Sequence, residues 1–278
     1  REDLLGDGIS GNKFRKLKYN IIEAKKQGFS KLITFGGAYS NHIMAASYIS
    51  KMYGITVIGV IRGEELMGKI DENPTLKKAQ ENGMKFYFVS REVYRNKTED
   101  DFINDLKTRF GDVYILPEGG TNALAIKGCE EILTANDSQY DYISCAVGTG
   151  GTLAGLINAS KPHQTVLGFS ALKGDFLKND VSSMVVKTNW DIITEYHFGG
   201  YAKVTKELIG FINTFKAETG ILLDPIYNGK MLFGIYDLMK KEYFKKNTSI
   251  LAIHTGGLQA TSGMNQFLKK KGLPLINI

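Results

Sequence analysis

The 278-residue sequence holds only two cysteines, Cys129 and Cys145, and they have neither metal-ligand nor redox spacing. That scarcity excludes a disulfide scaffold or a thiolate metal site and points to a reducing compartment, the cytoplasm. No apolar run reaches the length of a membrane span, and no stretch has the layout of a signal peptide. No basic block with interleaved aromatics occurs, so the net charge of +6 (pI about 9.0) does not read as a nucleic-acid surface. It suits a solvated, lysine-rich exterior or anionic small molecules. Fixed-period repeats and low-complexity linkers are also missing, as are a convincing Ser/His/Asp order and a metal-spaced His/Cys/carboxylate cluster. The chain opens on Arg1 rather than methionine, and a preceding segment is expected to be missing.

At 43% hydrophobic, the chain can bury a large core and form two domains. Apolar runs at 31–35, 55–61, 85–89, 113–116, 142–147, 165–169 and 250–254 read as strands. Between them helices are expected from Phe14, over 43–52, from Pro74 to Gly83, and over about 98–110 and 121–136. Further helices are expected over 153–159, 203–219, 229–241 and 257–268, whereas 178–194 has no usable periodicity. The β-branched run 55–61 is the pattern of a parallel strand covered on both faces. Strand–helix alternation without tandem hairpins predicts an α/β fold with mainly parallel sheets flanked by helices.

The stretch Ile9-Ser-Gly-Asn-Lys13-Phe-Arg-Lys16 organises the rest. Phe14, Leu17, Ile21 and Ala24 recur at helical spacing, which puts Lys13 at a helix N-terminus. Such an end attracts anions, and Lys16 adds a positive charge one turn on. A lysine amine beside an anion site suggests a Schiff-base lysine serving a phosphorylated aldehyde, against the commoner solvated lysine.

Gly148-Thr149-Gly150-Gly151-Thr152 lies between a strand and a helix, where backbone N–H groups and two hydroxyls can converge on an oxyanion. It is not a Walker loop, and Leu153 takes the place of the last glycine of a dinucleotide fingerprint. A phosphate-monoester cradle is the favoured reading, with a mere tight turn as the alternative. Ser40-Asn41-His42 follows a strand and Gly36-Gly37, where open α/β sheets place ligands. Ser40 reads equally as an N-cap or as facing a substrate carboxylate. Asn41 suits a phenolic oxygen, and His42 reads as structural. Tyr201, Tyr227 and Thr255 each have an ordinary reading as filler or cap.

In order along the chain, these segments resemble the pyridoxal-phosphate enzymes of the 1-aminocyclopropane-1-carboxylate deaminase and D-cysteine desulfhydrase family, from Ser10 to Gly257. The resemblance implies a tryptophan-synthase-β-like fold of type II. Residues 1–15 and 122–278 would form a large cofactor-binding domain and residues 16–121 a small one, closing over a cleft that holds pyridoxal 5'-phosphate. Carried over by position, Lys13 would hold the cofactor as a Schiff base, and Asn41 would meet its phenolic oxygen. Gly148, Thr149, Gly150, Gly151 and Thr152 would hold the phosphate with Lys16. Ser40, Tyr201 and Tyr227 match substrate-side residues, and Thr255 matches a partner of the pyridine nitrogen. The resemblance also implies a homodimer acting on a small amino acid.

One position departs from the deaminases. Their glutamate facing the pyridine nitrogen is replaced by Asn228, which carries no charge. A carboxylate there would keep the ring protonated and strongly electron-withdrawing. Opening a cyclopropane that lacks an α-proton needs that strong sink, whereas expelling hydrosulfide after α-proton loss does not. The expectation is therefore β-elimination from D-cysteine, giving pyruvate, sulfide and ammonia. The rivals are true deaminase activity giving 2-oxobutanoate, action on D-serine, chloro-D-alanine or a sulfonated amino acid, a non-catalytic binding descendant, and, more distantly, a nucleotide-binding protein.

Overall fold

The computed structural model describes residues 1–5 and 11–278, so Ile9 and Ser10 of the opening motif lie outside the described residues. Strands β1 (Lys31–Gly36), β2 (Thr56–Arg62), β3 (Lys85–Val89) and β4 (Tyr114–Leu116) form one parallel sheet in the order β3-β2-β1-β4. Strands β5 (Tyr142–Val147), β6 (Thr165–Ser170), β7 (Trp190–Ile193) and β8 (Ile250–Ala252) form a second, in the order β7-β6-β5-β8. Neighbouring side chains on a strand point to opposite faces, so each sheet feeds two cores. Leu32, Val57 and Ile61 pack on one face of the first sheet and Ile33, Ile58 and Val60 on the other. In the second sheet, Ile143, Cys145 and Val166 face one core and Ala146, Leu167 and Phe169 the other.

Helices α1 (Asn12–Lys26), α2 (Asn41–Tyr53), α3 (Pro74–Glu81), α4 (Arg91–Arg95) and α5 (Asp100–Phe110) accompany the first sheet. Helices α6 (Ala123–Glu130), α7 (Gly151–Ala159), α8 (Phe176–Ser182), α9 (Lys206–Thr219) and α10 (Asn228–Lys240) accompany the second, while α11 (Gln259–Lys270) packs on α9 and also meets α2 and α3 of the first half. Helix α1 joins the two halves. Leu17 and Ile21 enter the first core, while Asn20 hydrogen-bonds Asn122 and Lys18 pairs with Glu131 at 2.7 Å on the α6 side.

Two helices differ from expectation. The run 121–136 stops at Glu130, because Thr134 and Asp137 form a capping box that starts a separate 3-10 turn at Ala135. The run 203–219 begins only at Lys206, capped by the Thr205 hydroxyl, because a turn closed by Lys203 precedes it. The unassigned stretch 178–194 holds most of α8 and the edge strand β7, both too short to declare a period. Among the described residues, no helix is long and apolar enough to cross a membrane, and no group of three or more His, Cys, Asp or Glu side chains could hold a metal ion.

Candidate active site

In each sheet the strand order reverses at one place, between β1 and β4 and between β5 and β8. The crevice beyond the carboxyl ends of strands at such a reversal is where open α/β sheets bind ligands. Here both crevices open on one cavity of about 950 Å³, at the upper end of the range that holds a drug-sized ligand. Its wall comes from loops 37–40 and 118–119, from the glycine loop after β5, from 255–257 after β8, and from the start of α1.

The start of α1 is fixed by close backbone approach. Gly11 has φ of 71°, and any side chain there would run into the Thr255 carbonyl, which accepts from Asn12 N at 3.0 Å. Asn12 Nδ2 donates to Thr152 Oγ1 at 2.8 Å, tying α1 to the first turn of α7. Lys13 therefore enters the cavity from a rigid mount. Its Nζ donates to Asn12 Oδ1 at 3.0 Å. Burial, and then the positive charge of Lys16, hold this amine down to about 7, so much of it is neutral near neutral pH. A neutral amine is a nucleophile and a base, which an ordinary lysine is not.

Lys16 is 2% exposed, and burial lowers its pKa as well. Its Nζ donates to Gly119 O (3.1 Å), Thr121 Oγ1 (2.9 Å) and Thr149 Oγ1 (3.3 Å), all neutral oxygens. A buried ammonium among neutral acceptors is a waiting partner for an anion. The glycine loop lies beside it. Helix α7 starts at Gly151, so the first-turn N–H groups of α7 lack helical acceptors, and Gly150 turns the chain with φ of 79°. The Thr152 hydroxyl is already engaged with Asn12, which leaves its backbone N–H for a ligand.

Ser40 caps α2, its hydroxyl accepting from Ile43 N at 3.3 Å, and it also lines the cavity. Asn41 carries a buried Oδ1 without a hydrogen-bond partner among the described residues, and a side chain at Gly257 (φ 84°) would collide with its amide. His42 bonds Thr34 Oγ1 at 2.7 Å, and burial with Lys13 and Lys16 holds its pKa well below the usual histidine range.

Asn228 stands behind the wall, while Thr255 forms part of it. The asparagine amide is fully committed. Nδ2 donates to Asp224 Oδ2 (2.6 Å) and Gly256 O (3.1 Å), and Oδ1 accepts from Thr255 N (3.0 Å) and the Thr255 hydroxyl (3.1 Å). Asp224 is fully buried and accepts from the backbone N–H groups of Ile226, Tyr227 and Asn228. Burial raises its pKa against the pull of those bonds. The Tyr227 ring lies against Gly148 and meets the Tyr201 ring edge-on at 6.2 Å. Burial, with Tyr201 alongside, pushes the Tyr227 phenol well above its ordinary value, so it keeps its proton.

Lys13, Lys16, Ser40, Asn41, Gly148, Thr149, Gly150, Thr152, Tyr201, Tyr227 and Thr255 thus meet at one cavity, with Gly151 and Asn228 just behind it. Reasoning from the sequence missed Gly119 and Thr121, the acceptors of Lys16. Their signal was Gly119-Gly120-Thr121, two residues beyond the end of a strand. It also missed Asp224, whose signal was an aspartate followed by proline before a helix.

A neutral amine and a buried cation beside a glycine cradle suit an aldehyde that carries a phosphate. In comparisons with known proteins, the pattern of the family described as pyridoxal-phosphate dependent enzyme matches residues 1–256. A Thermotoga maritima protein provisionally named 1-aminocyclopropane-1-carboxylate deaminase is 33% identical, over 93% of this chain and 87% of its own. The bifunctional D-cysteine desulfhydrase/1-aminocyclopropane-1-carboxylate deaminase, mitochondrial, of Arabidopsis thaliana is 31% identical, over 93% of this chain and 71% of its own. A crystal structure titled as a homologue of the same deaminase superposes with a TM-score of 0.82 at 29% identity, covering 97% of this chain and 87% of that one.

Proposed function

The chain belongs to the pyridoxal-phosphate-dependent enzymes, and we propose that it catalyses β-elimination on a small amino acid, D-cysteine first among them. The observation that carries this reading is the Lys13 amine, held near neutrality beside the buried Lys16. When bound, pyridoxal phosphate supplies an aldehyde carbon for an amine and a ring that takes up the electron pair released at the substrate α-carbon. Lys16, Gly148, Thr149, Gly150, Gly151 and Thr152 would hold the phosphate, and Asn41 would meet the phenolic oxygen. Ser40 and the N-terminus of α2 face the substrate carboxylate.

Lys13 Nζ removes the α-proton. The Cβ–S bond breaks with its electron pair on sulfur, giving hydrosulfide, and water completes the conversion to pyruvate and ammonia. Tyr227 stays protonated and serves as a donor toward the leaving group, with Tyr201 orienting the substrate. Asn228 favours elimination over ring opening. No carboxylate faces the cavity there, and the Asp224 charge behind it is spent on three backbone N–H groups and the asparagine amide. The strong electron sink that a cyclopropane demands is therefore not built. In the same reading the protein is a cytoplasmic homodimer. Its large domain is residues 1–15 and 122–278, its small domain residues 16–121.

The test is product analysis on cofactor-loaded protein given D-cysteine, L-cysteine or 1-aminocyclopropane-1-carboxylate. Pyruvate and sulfide from D-cysteine, with no 2-oxobutanoate from the cyclopropane amino acid, is the expected outcome. Efficient 2-oxobutanoate release would make the protein a deaminase, the reading that the name of the Arabidopsis relative also supports. Binding without any product would make it a non-catalytic descendant.

A further inference from the structure

Lys230 is a buried titratable group with no part in the chemistry above. It is 1% exposed and lies in the first turn of α10, three residues after Tyr227. Its Nζ donates to His197 O and Gly200 O, each at 2.9 Å. Those two carbonyls are the first residues of two consecutive turns, closed by Gly200 N onto His197 O (3.0 Å) and by Lys203 N onto Gly200 O (3.1 Å). The double turn is costly backbone. Phe198 (54°) and Ala202 (56°) hold positive φ without being glycine, and Gly199 (93°) and Gly200 (115°) stand between them. Strain of this kind persists only where the surroundings over-determine it. Tyr201 sits at the crest of the second turn, 46% exposed and facing the cavity.

We propose that Lys230 is a positioning residue that staples the turns 197–200 and 200–203 and so holds Tyr201 over the cavity against Tyr227. The inference rests on the reading of Tyr201 as a substrate-side residue. Burial brings the Lys230 amine down to about 8. Loss of its proton leaves two N–H groups for the same two carbonyls, so the staple does not depend on the charge. Phe198 supplies a second anchor, its ring edge-on to Phe233 of α10 at 5.0 Å. That contact fixes where the loop starts; three residues on, the Tyr201 ring rests edge-on against Tyr227, and the carbonyls of the two turns that carry it are held by Lys230.

The test uses Lys230→Met, which keeps the packing and deletes both donors, and Lys230→Arg, which keeps donors. Visible cofactor absorbance and thermal unfolding report the fold of each. Three readouts follow: the rate of tryptic cleavage after Lys203, kcat and KM for the substrate established by product analysis, and the effect of Tyr201→Phe in each background. In the Met variant the cleavage rate is expected to rise and kcat to fall roughly ten- to hundredfold with cofactor affinity unchanged. Tyr201→Phe should then add little, while the Arg variant recovers most of the protection and turnover. Unchanged cleavage in a folded Met variant would overturn the staple, as would increased cleavage with kcat intact. If wild type turns over none of the substrates while the Met variant is still cleaved faster, the staple stands and the functional reading falls.

Discussion

Lys13→Ala is expected to lower turnover by roughly 10⁴-fold or more, because one amine both carries the cofactor and takes the α-proton. The fold should survive. Among the described residues, Lys13 contributes a single side-chain hydrogen bond, to its neighbour Asn12, and its burial disfavours its charge. The anion cradle also survives, since Lys16 and the glycine loop draw on Gly119, Thr121 and Thr149 rather than on Lys13. The variant should bind pyridoxal phosphate weakly and lose it on gel filtration, where wild type keeps it. Turnover assays and absorbance before and after filtration check both parts. A fully active Lys13→Ala variant would remove Lys13 from the chemistry.

Asn228→Asp is expected to destabilise the protein by about 3 kcal/mol near neutral pH, although it changes few atoms. The new carboxyl would lie within hydrogen-bond distance of the buried Asp224 carboxylate and face the Gly256 carbonyl, where the amide now donates to both. Two carboxylates so placed cannot both ionise. The folded-state pKa of the new group therefore stands above its unfolded value of about 3.9. For an acid raised on folding, the penalty is absent below the unfolded pKa and grows as pH rises toward the folded one. Urea unfolding should thus show the variant closest to wild type near pH 4 and furthest from it near pH 7. Equal loss at both pH values would mean that packing, not charge, sets the effect. Conversion to a deaminase by this single change is not expected, because Asp224 keeps the incoming group protonated.

Much of the site is legible because it is local. Gly11-Asn12-Lys13 before a helical period, and a glycine loop between a buried strand and a buried helix, declare themselves within a few residues. The sheets are legible for the same reason: strands such as 56–62, buried on both faces, leave continuous β-branched runs. What stayed hidden depends on distant partners. Nothing near Lys16 says that its amine ends among oxygens at 119, 121 and 149. Nothing near Lys230 says that it reaches back to 197 and 200. The position of Asn228 behind Thr255 is a matter of side-chain direction at the start of α10, which spacing does not encode. The break after Glu130 is different. Its Thr134-x-x-Asp137 box was visible in the sequence but outweighed by the apolar run before it.

The reactivity that its surroundings give Lys13 sets the pH dependence of cofactor uptake. Apoprotein is mixed with pyridoxal phosphate and the visible absorbance of the bound cofactor followed from about pH 6 to pH 10. Only the neutral amine attacks the aldehyde, and the Lys13 amine titrates at about 7. The uptake rate should therefore climb with pH to about 7 and then level off. A rate still rising tenfold per pH unit toward about pH 10 would mean that Lys13 is an ordinary lysine, not one made reactive by its site.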